Sequence, residues 1–332
     1  MKIPKIKKIW AVSLIVSLIS LAILFKITDF RSIMDRLEGA NLYFIGLLLL
    51  LYFIAYLCRA MRLWLLIRPL HPVQPVGLWA CLRLTLAHQA IFAVAPSGSG
   101  DLAFPVLGRM ITGTDIRDII PVLISFRLQD LATLIAFAGF GLVVILDLTG
   151  SLDLFWVLLF FLLSGFILTL FVAGLNNHIR YALWHISQKA DRIIGAFKSQ
   201  SSKEDEGNGR PLADSAPDRK TILLSALMTV LSWSFTGAMV WAAFRAYNMS
   251  LDWQLIPYLI AGLNLAGALA FTTIGGLGVT ELGLAGLLVA ASIPASTAIP
   301  LAMVVRPTLL LATILFGLCA LGGPLSPDRN TE

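Results

Sequence analysis

Apolar runs of bilayer-crossing length recur near residues 9–26, 42–67, 76–95, 119–146, 153–174, 221–247, 253–273, 280–293 and 299–322. No other feature constrains the fold as tightly. A helix rises about 1.5 Å per residue, so about 20 apolar residues cross a hydrocarbon core of about 30 Å. Inside that core a chain satisfies its backbone hydrogen bonds only as helices or as a closed barrel. Long continuous apolar runs, as opposed to alternating ones, select helices. Hydrophobic residues make up 58% of the chain and charged ones 13%, against about 25% charged in soluble domains. The expected fold is an all-α polytopic membrane protein with about seven spanning helices and two broken or re-entrant segments, arranged in two halves.

The breaks carry the chemistry. Ala95-Pro96-Ser97-Gly98-Ser99-Gly100-Asp101 interrupts the first half, and Ile274-Gly275-Gly276-Leu277-Gly278-Val279-Thr280-Glu281 interrupts the second. Irregular backbone survives at membrane depth only where protein buries it or where it lines a watery cavity. A carboxylate closely follows the glycines in both stretches. Paired interrupted helices in corresponding positions point to a transporter's binding site. Pro96, Gly98, Gly100, Gly275, Gly276 and Gly278 are therefore the expected hinge positions.

Charge sets the orientation. Lys2, Lys5, Lys7 and Lys8 precede the first apolar run, and Arg59, Arg62 and Arg68 close the second. By the positive-inside rule both ends are cytoplasmic. Residues 147–152 and 248–252 contain no Lys or Arg and suit the opposite side. Segment 76–95 then starts inside, yet Arg109 and Arg117 precede a helix that must end outside. The economical solution is a re-entrant hairpin over 76–118 with its tip at Pro96–Gly100. The expected organisation is a membrane half over 1–175, a cytoplasmic piece over 176–220, a second half over 221–323 and a tail over 324–332. Within the cytoplasmic piece, 179–197 reads as an interfacial amphipathic helix and 199–220 as a disordered linker. The first run lacks a cleavage signature and reads as a retained helix.

Several ionisable residues lie within the apolar segments, where each needs a partner. Asp101 suits the N-cap of the returning half-helix, and that helix end also suits a phosphate. Arg109, two turns on, is its expected cationic partner. Arg127 and Asp130 share a helix face at i,i+3 and are expected to neutralise one another. Glu281 and Arg306 are expected to pair in the last segments, with Pro307 freeing a carbonyl beside them. Arg83 and His88 are weaker candidates.

Other functions lose support. Cys58, Cys81 and Cys319 lie in apolar helices without metal-ligand spacing, so neither a metal site nor a cofactor is expected. The net charge of +6 fits a membrane protein's loops, and no domain supports nucleic-acid binding. A Pro-Ser-Gly-His phosphatase motif fails because Ser99 occupies the histidine's place. A Gly-x-Ser-Gly protease motif fails because Ser97 occupies the first glycine's place.

Tyr56-x-x-Arg59-x-x-Arg62-x-Trp64-Leu65-Leu66, Pro96…Gly100-Asp101…Arg109, Arg127-x-x-Asp130, Gly275-Gly276-Leu277-Gly278-x-x-Glu281 and Arg306 occur in one order. That order resembles the lysylphosphatidylglycerol synthase transmembrane family, also called flippase-like or UPF0104. The resemblance spans about residues 40 to 320. It implies an inner-membrane protein of bacteria, with a cytoplasmic N-terminus, that translocates or traffics an anionic lipid, phospholipid or polyprenyl-linked, through a polar cavity. It also implies that Arg59, Arg62, Asp101, Arg109, Arg127, Asp130, Glu281 and Arg306 form the headgroup site. The family's aminoacyl-transferase domain is absent here, so transport is expected and catalysis is not. The alternative is a non-transporting partner of a glycosyltransferase or lipid-synthesis enzyme, and an intramembrane enzyme ranks below both.

Overall fold

The computed structural model describes residues 4–27, 30–70, 76–95, 100–146, 156–172, 218–269, 273 and 276–322. The described chain is helical: α1 (Pro4–Ile27), α2 (Phe30–Glu38), α3 (Leu42–Ile67), α4 (Leu78–Val94), α5 (Gly100–Thr112), α6 (Ile116–Ile145), α7 (Trp156–Val172), α8 (Arg219–Ala246), α9 (Leu255–Leu269), α10 (Val279–Ala290) and α11 (Ala295–Leu321). Helices α3, α6, α8 and α11 are long and apolar enough to cross a bilayer, and shorter apolar helices accompany them. The chain is an all-α polytopic membrane protein. The predicted amphipathic helix and nearly all of its linker, the hairpin tip at Pro96 and Gly98, and Gly275 lie outside the described residues.

Helices α4 and α5 fold back on one another. Gly100 lies against Phe92, and Gly108 faces Leu84, so the pair is antiparallel. Helices α9 and α10 do the same, with Gly262 against Leu287 and Gly283 against Ala266. α5 has 13 residues and α10 has 12, which gives each about 20 Å of rise, less than the hydrocarbon thickness. Each pair is therefore an antiparallel hairpin with one arm shorter than a full crossing. Before α10 the backbone turns through Gly276 and Gly278, at φ 75° and 83°, a region that side chains disfavour.

The two halves are interleaved. α3 and α8 run antiparallel as the most extensively packed helix pair. Asn41 N–H donates to Ala246 C=O at one end, and Arg62 reaches Thr229 near the other. The α4–α5 hairpin of the first half packs on α11 of the second, and α9 of the second packs on α6 of the first. Glycines allow both approaches. A Cβ at Gly317 would collide with Ala90 of α4, and one at Gly141 would come within 2.7 Å of the Tyr258 Cα of α9. Without a hydrophobic drive between helices in lipid, such close backbone packing supplies much of the association energy.

The exchange has an underlying order. Leu42, Trp64, Arg68 and Leu78 map onto Arg219, Trp241, Arg245 and Leu255 by one shift of 177 residues. Asn41 and Asp218, paired by the same shift, cap α3 and α8 with their side chains. Arg68 stacks over Trp64 at 5.0 Å and Arg245 over Trp241 at 5.4 Å. A second common shift carries α5 onto α10 (Gly100 to Val279) and α6 onto α11 (Ile116 to Ala295). There Ile120-Pro121 followed by Arg127 matches Ile299-Pro300 followed by Arg306 at identical spacing. The chain is a duplication of long helix, hairpin and long helix. Because α3 and α8 run in opposite directions, the copies are inverted relative to the membrane.

Candidate functional site

The site lies where the copies meet. Arg59 of α3 donates to Thr236 Oγ1 of α8 at 3.4 Å, the position equivalent to its own. Its guanidinium lies over Tyr56 at 4.7 Å and over Trp233 at 5.1 Å, a second equivalent pair. Arg59 therefore marks the pseudo-two-fold axis. Its Nε has no hydrogen-bond partner, and no carboxylate lies within ion-pair distance of it among the described residues.

Around that axis opens a polar cavity of 660 Å³, within the usual range of ligand sites. Arg59, Asp101, Arg127, Asp130, Thr236, Asn264 and Arg306 face it, together with the rings of Tyr52, Tyr56 and Trp233. Both copies contribute, and Arg127 and Arg306 occupy equivalent places on α6 and α11.

The ion pairs differ from the expected ones. Asp130 pairs with Arg62 of α3 at 2.7 Å and accepts from Trp233 Nε1 at 3.1 Å. Arg127 pairs with Asp101 of α5. Partners on neighbouring helices thus replace the i,i+3 pair within α6, because Asp130 faces α3 and α8 while Arg127 faces the hairpin. Asp101 also lies 3.5 Å from His88 Nε2. Arg109 sits exposed on the last turn of α5, about 12 Å of helix rise from Asp101 and too far to pair with it.

Behind Asp130 lies a polar network in which, among the buried side-chain atoms of Arg62, Gln129, Ser225 and Thr229, Arg62 Nε alone lacks a hydrogen-bond partner. Arg62, nearly inaccessible, also donates to Thr229 at 3.1 Å and stacks over Phe126 at 4.3 Å. Gln129 Oε1 accepts from Ser225 at 3.1 Å and from Thr229 at 3.0 Å. This network ties α3, α6 and α8 into a fixed wall, since an unpaired buried charge or polar group is costly.

In the second copy, Glu281 turns onto its own helix and accepts from Gly278 N–H at 2.6 Å. It caps α10 and does not hold Arg306 directly. Thr280 Oγ1 stands between them, 3.2 Å from Glu281 Oε2 and 3.2 Å from Arg306 Nε. Arg306 thus reaches the cavity with a hydroxyl between it and Glu281.

A transmembrane family model, described as lysylphosphatidylglycerol synthase TM region, matches residues 10–317. The chain belongs to the lysylphosphatidylglycerol synthase transmembrane-region family. A search of curated proteins finds no match. Membership fixes a multi-pass membrane protein. Of the eight charged positions singled out in the sequence, Arg59, Asp101, Arg127, Asp130 and Arg306 line one cavity, whereas Arg109 lies on the surface and Arg62 and Glu281 lie behind the lining.

Sequence reasoning did not pick out Tyr52, Trp233, Thr236 or Gln89, all of which line the cavity. Aromatic and hydroxyl residues inside an apolar helix look like ordinary packing. Aligning the two Ile-Pro-x5-Arg strings would have found some of them. That alignment superposes α6 on α11 and, carried back to the Trp64/Trp241 pair, places Tyr56 opposite Trp233 and Arg59 opposite Thr236.

Proposed function

We propose that this protein moves an anionic phospholipid between the leaflets, holding its phosphate in the central cavity while its chains stay in an apolar environment. The observation that carries this reading is the charge balance of the lining. Asp130 is neutralised by Arg62 and Asp101 by Arg127, and Glu281 offsets Arg306 only through Thr280, which leaves Arg59 facing the space without a carboxylate in ion-pair contact. A guanidinium in excess of the carboxylates, beside one met only through a hydroxyl, favours an anion in a low-dielectric cavity. Their planar forks suit phosphate oxygens. The inverted duplication supports transport as opposed to catalysis, because it supplies one way in from each face around a single central site.

The face carrying Arg68, Arg83, Arg109, Arg219 and Lys220 is cytoplasmic in this reading, following the positive-inside rule. The N-terminus and the end of α11 lie on it, in the inner membrane of a bacterium.

Reconstitution tests the proposal. Purified protein in liposomes should speed the exposure of a fluorescent anionic phospholipid to an outside quencher, and Arg59→Ala and Arg306→Ala should remove the gain. Failure to move any anionic lipid across a broad panel would overturn the reading.

A further inference from the structure

A second cavity of 330 Å³ adjoins the first, between α6, α7, α8 and α9. Phe137, Leu162, Trp233, Trp241, Ile256 and Ile260 are among the residues that make its walls apolar. Trp233 and Ile260 line both spaces. The Trp233 indole N–H donates into the polar cavity, to Asp130, so one side chain bounds both. From Trp233 to Trp241 the groove follows α8 for about 12 Å, from the central site toward the α8 C-terminal face. Trp253, 46% exposed, stands at its outer end, where tryptophan favours the membrane interface.

The equivalent place in the first copy is closed. Phe316, which matches Phe137, stacks on Tyr52 at 5.0 Å. Arg83, which matches Ile260, donates to Ala320 C=O at 3.3 Å and ties α4 to α11. α4 also packs along α3 more extensively than α9 does along α8. One copy of the duplicated hairpin is shut against its long helix and the other stands away from it.

We propose that the α6–α9 groove holds one acyl chain of the anionic phospholipid whose headgroup occupies the central cavity, in the leaflet at the α8 C-terminal face. This rests on the function proposed above. Continuity through Trp233 selects the occupant: a chain entering from the interface ends beside Arg59, where a phosphate is required. The closed counterpart assigns this conformation to that one leaflet.

The test uses the full chain in phosphatidylcholine nanodiscs with a trace of phosphatidylglycerol carrying a diazirine on its acyl chain, and maps the labelled residues. Labels should gather on Leu162, Trp241 and Ile256. Unlabelled phosphatidylglycerol should compete them away, and phosphatidylcholine should not. Gly237→Leu should abolish them, since even a Cβ there lies 3.3 Å from Ile256 and Ile260. Ala238→Leu, on the same wall, gives the milder block if Gly237→Leu does not fold. Arg306→Ala separates the two claims. If phosphatidylglycerol is retained in an Arg306-dependent way but labels spread over lipid-facing Leu142, Leu311 and Leu315, the groove assignment falls and the cavity reading stands. If wild-type protein shows no preference for phosphatidylglycerol, the cavity reading falls and takes the acyl-chain assignment with it.

Discussion

The two copies of the duplicated unit share a backbone plan and divide the charges unequally. Arg62 and Asp130 of the first copy correspond to Met239 and Leu309 in the second, and Arg59 corresponds to Thr236. Among the charged residues that line the cavity, only the arginine after the Ile-Pro pair, Arg127 or Arg306, is kept in both. Even that residue is treated differently, since Arg127 is held by a carboxylate and Arg306 by a hydroxyl. The backbone symmetry thus frames the cavity from both copies, while the asymmetry of charge makes one side a fixed ionic wall and leaves the other without a directly paired carboxylate.

Transplanting the second copy's residues into the first breaks this comparison most severely. Asp130→Leu strands a nearly inaccessible guanidinium at Arg62 and should cost about 3–5 kcal/mol, read as a lower unfolding midpoint in detergent. Adding Arg62→Met reproduces the Met239–Leu309 pair. An apolar pair in place of a buried ion pair is close to neutral, so the double variant should recover most of the stability. Lipid movement should stay lost in the double variant, because Trp233 and Arg59 lose the wall that positions them. A double variant no more stable than the single one would show that the wall is not an isolated charge pair.

The arginines shared by the two copies give the next largest effect. Arg306→Ala should weaken retention of an anionic phospholipid by about 10- to 100-fold, the worth of a charged hydrogen bond of about 1.5–3 kcal/mol. Arg127→Ala should weaken it further, because it also leaves Asp101 facing the anion. Arg127→Ala with Asp101→Asn should return to the Arg306→Ala level. Equal losses in all three would mean that Asp101 does not face the ligand.

Much of this architecture is legible in the residues. Run length and low charge identify the membrane helices, and the Gly-rich breaks at Gly98–Asp101 and Gly276–Glu281 identify the hairpins. Partner choice is not legible, because spacing along one helix says which residues share a face and not which helix that face meets. Asp130 and Arg127 share α6 but serve different neighbours. Arg109 follows Asp101 at a helical interval, yet α5 is a half-helix that carries it back out to the surface. The duplication itself is hidden because membrane helices draw on few residue types. Only Trp, Arg and Pro at fixed intervals stand above that background, and they are scattered across the chain.

The glycine contacts test whether the exchange of hairpins is symmetric in energy. Gly141→Val and Gly317→Val each force a side chain into the other copy's entering helix, at Tyr258 and at Ala90. Overpacking of this kind costs about 1–3 kcal/mol, and thermal unfolding should show similar losses for the two. Gly46→Val, where a Cβ meets nothing within 4 Å, is the control and should change little. A loss confined to Gly317→Val would tie the tighter α3–α4–α11 side, and not both sides, to the stability of the fold.

The smallest difference lies at the caps. Asn41 accepts from Tyr43 N–H at 3.0 Å, and Asp218 accepts from Thr221 N–H at 2.9 Å. The amide cap cannot titrate, whereas the carboxylate can. Hydrogen bonds from Thr221, first from its side chain and then from its backbone, hold Asp218 below the usual carboxylate range. A carboxyl depressed in the folded state stabilises it fully above the unfolded value of about 3.9. That stability is lost as pH falls through the lower folded value. The first turn of α8 should therefore fray below about pH 4, while that of α3 holds. Amide exchange, corrected for its intrinsic pH dependence, should lose protection at Thr221 and keep it at Tyr43. Asp218→Asn copies the first repeat's cap and should make Thr221 behave like Tyr43. If Thr221 keeps its acid sensitivity in that variant, the titrating group lies elsewhere, and the two caps are equivalent after all.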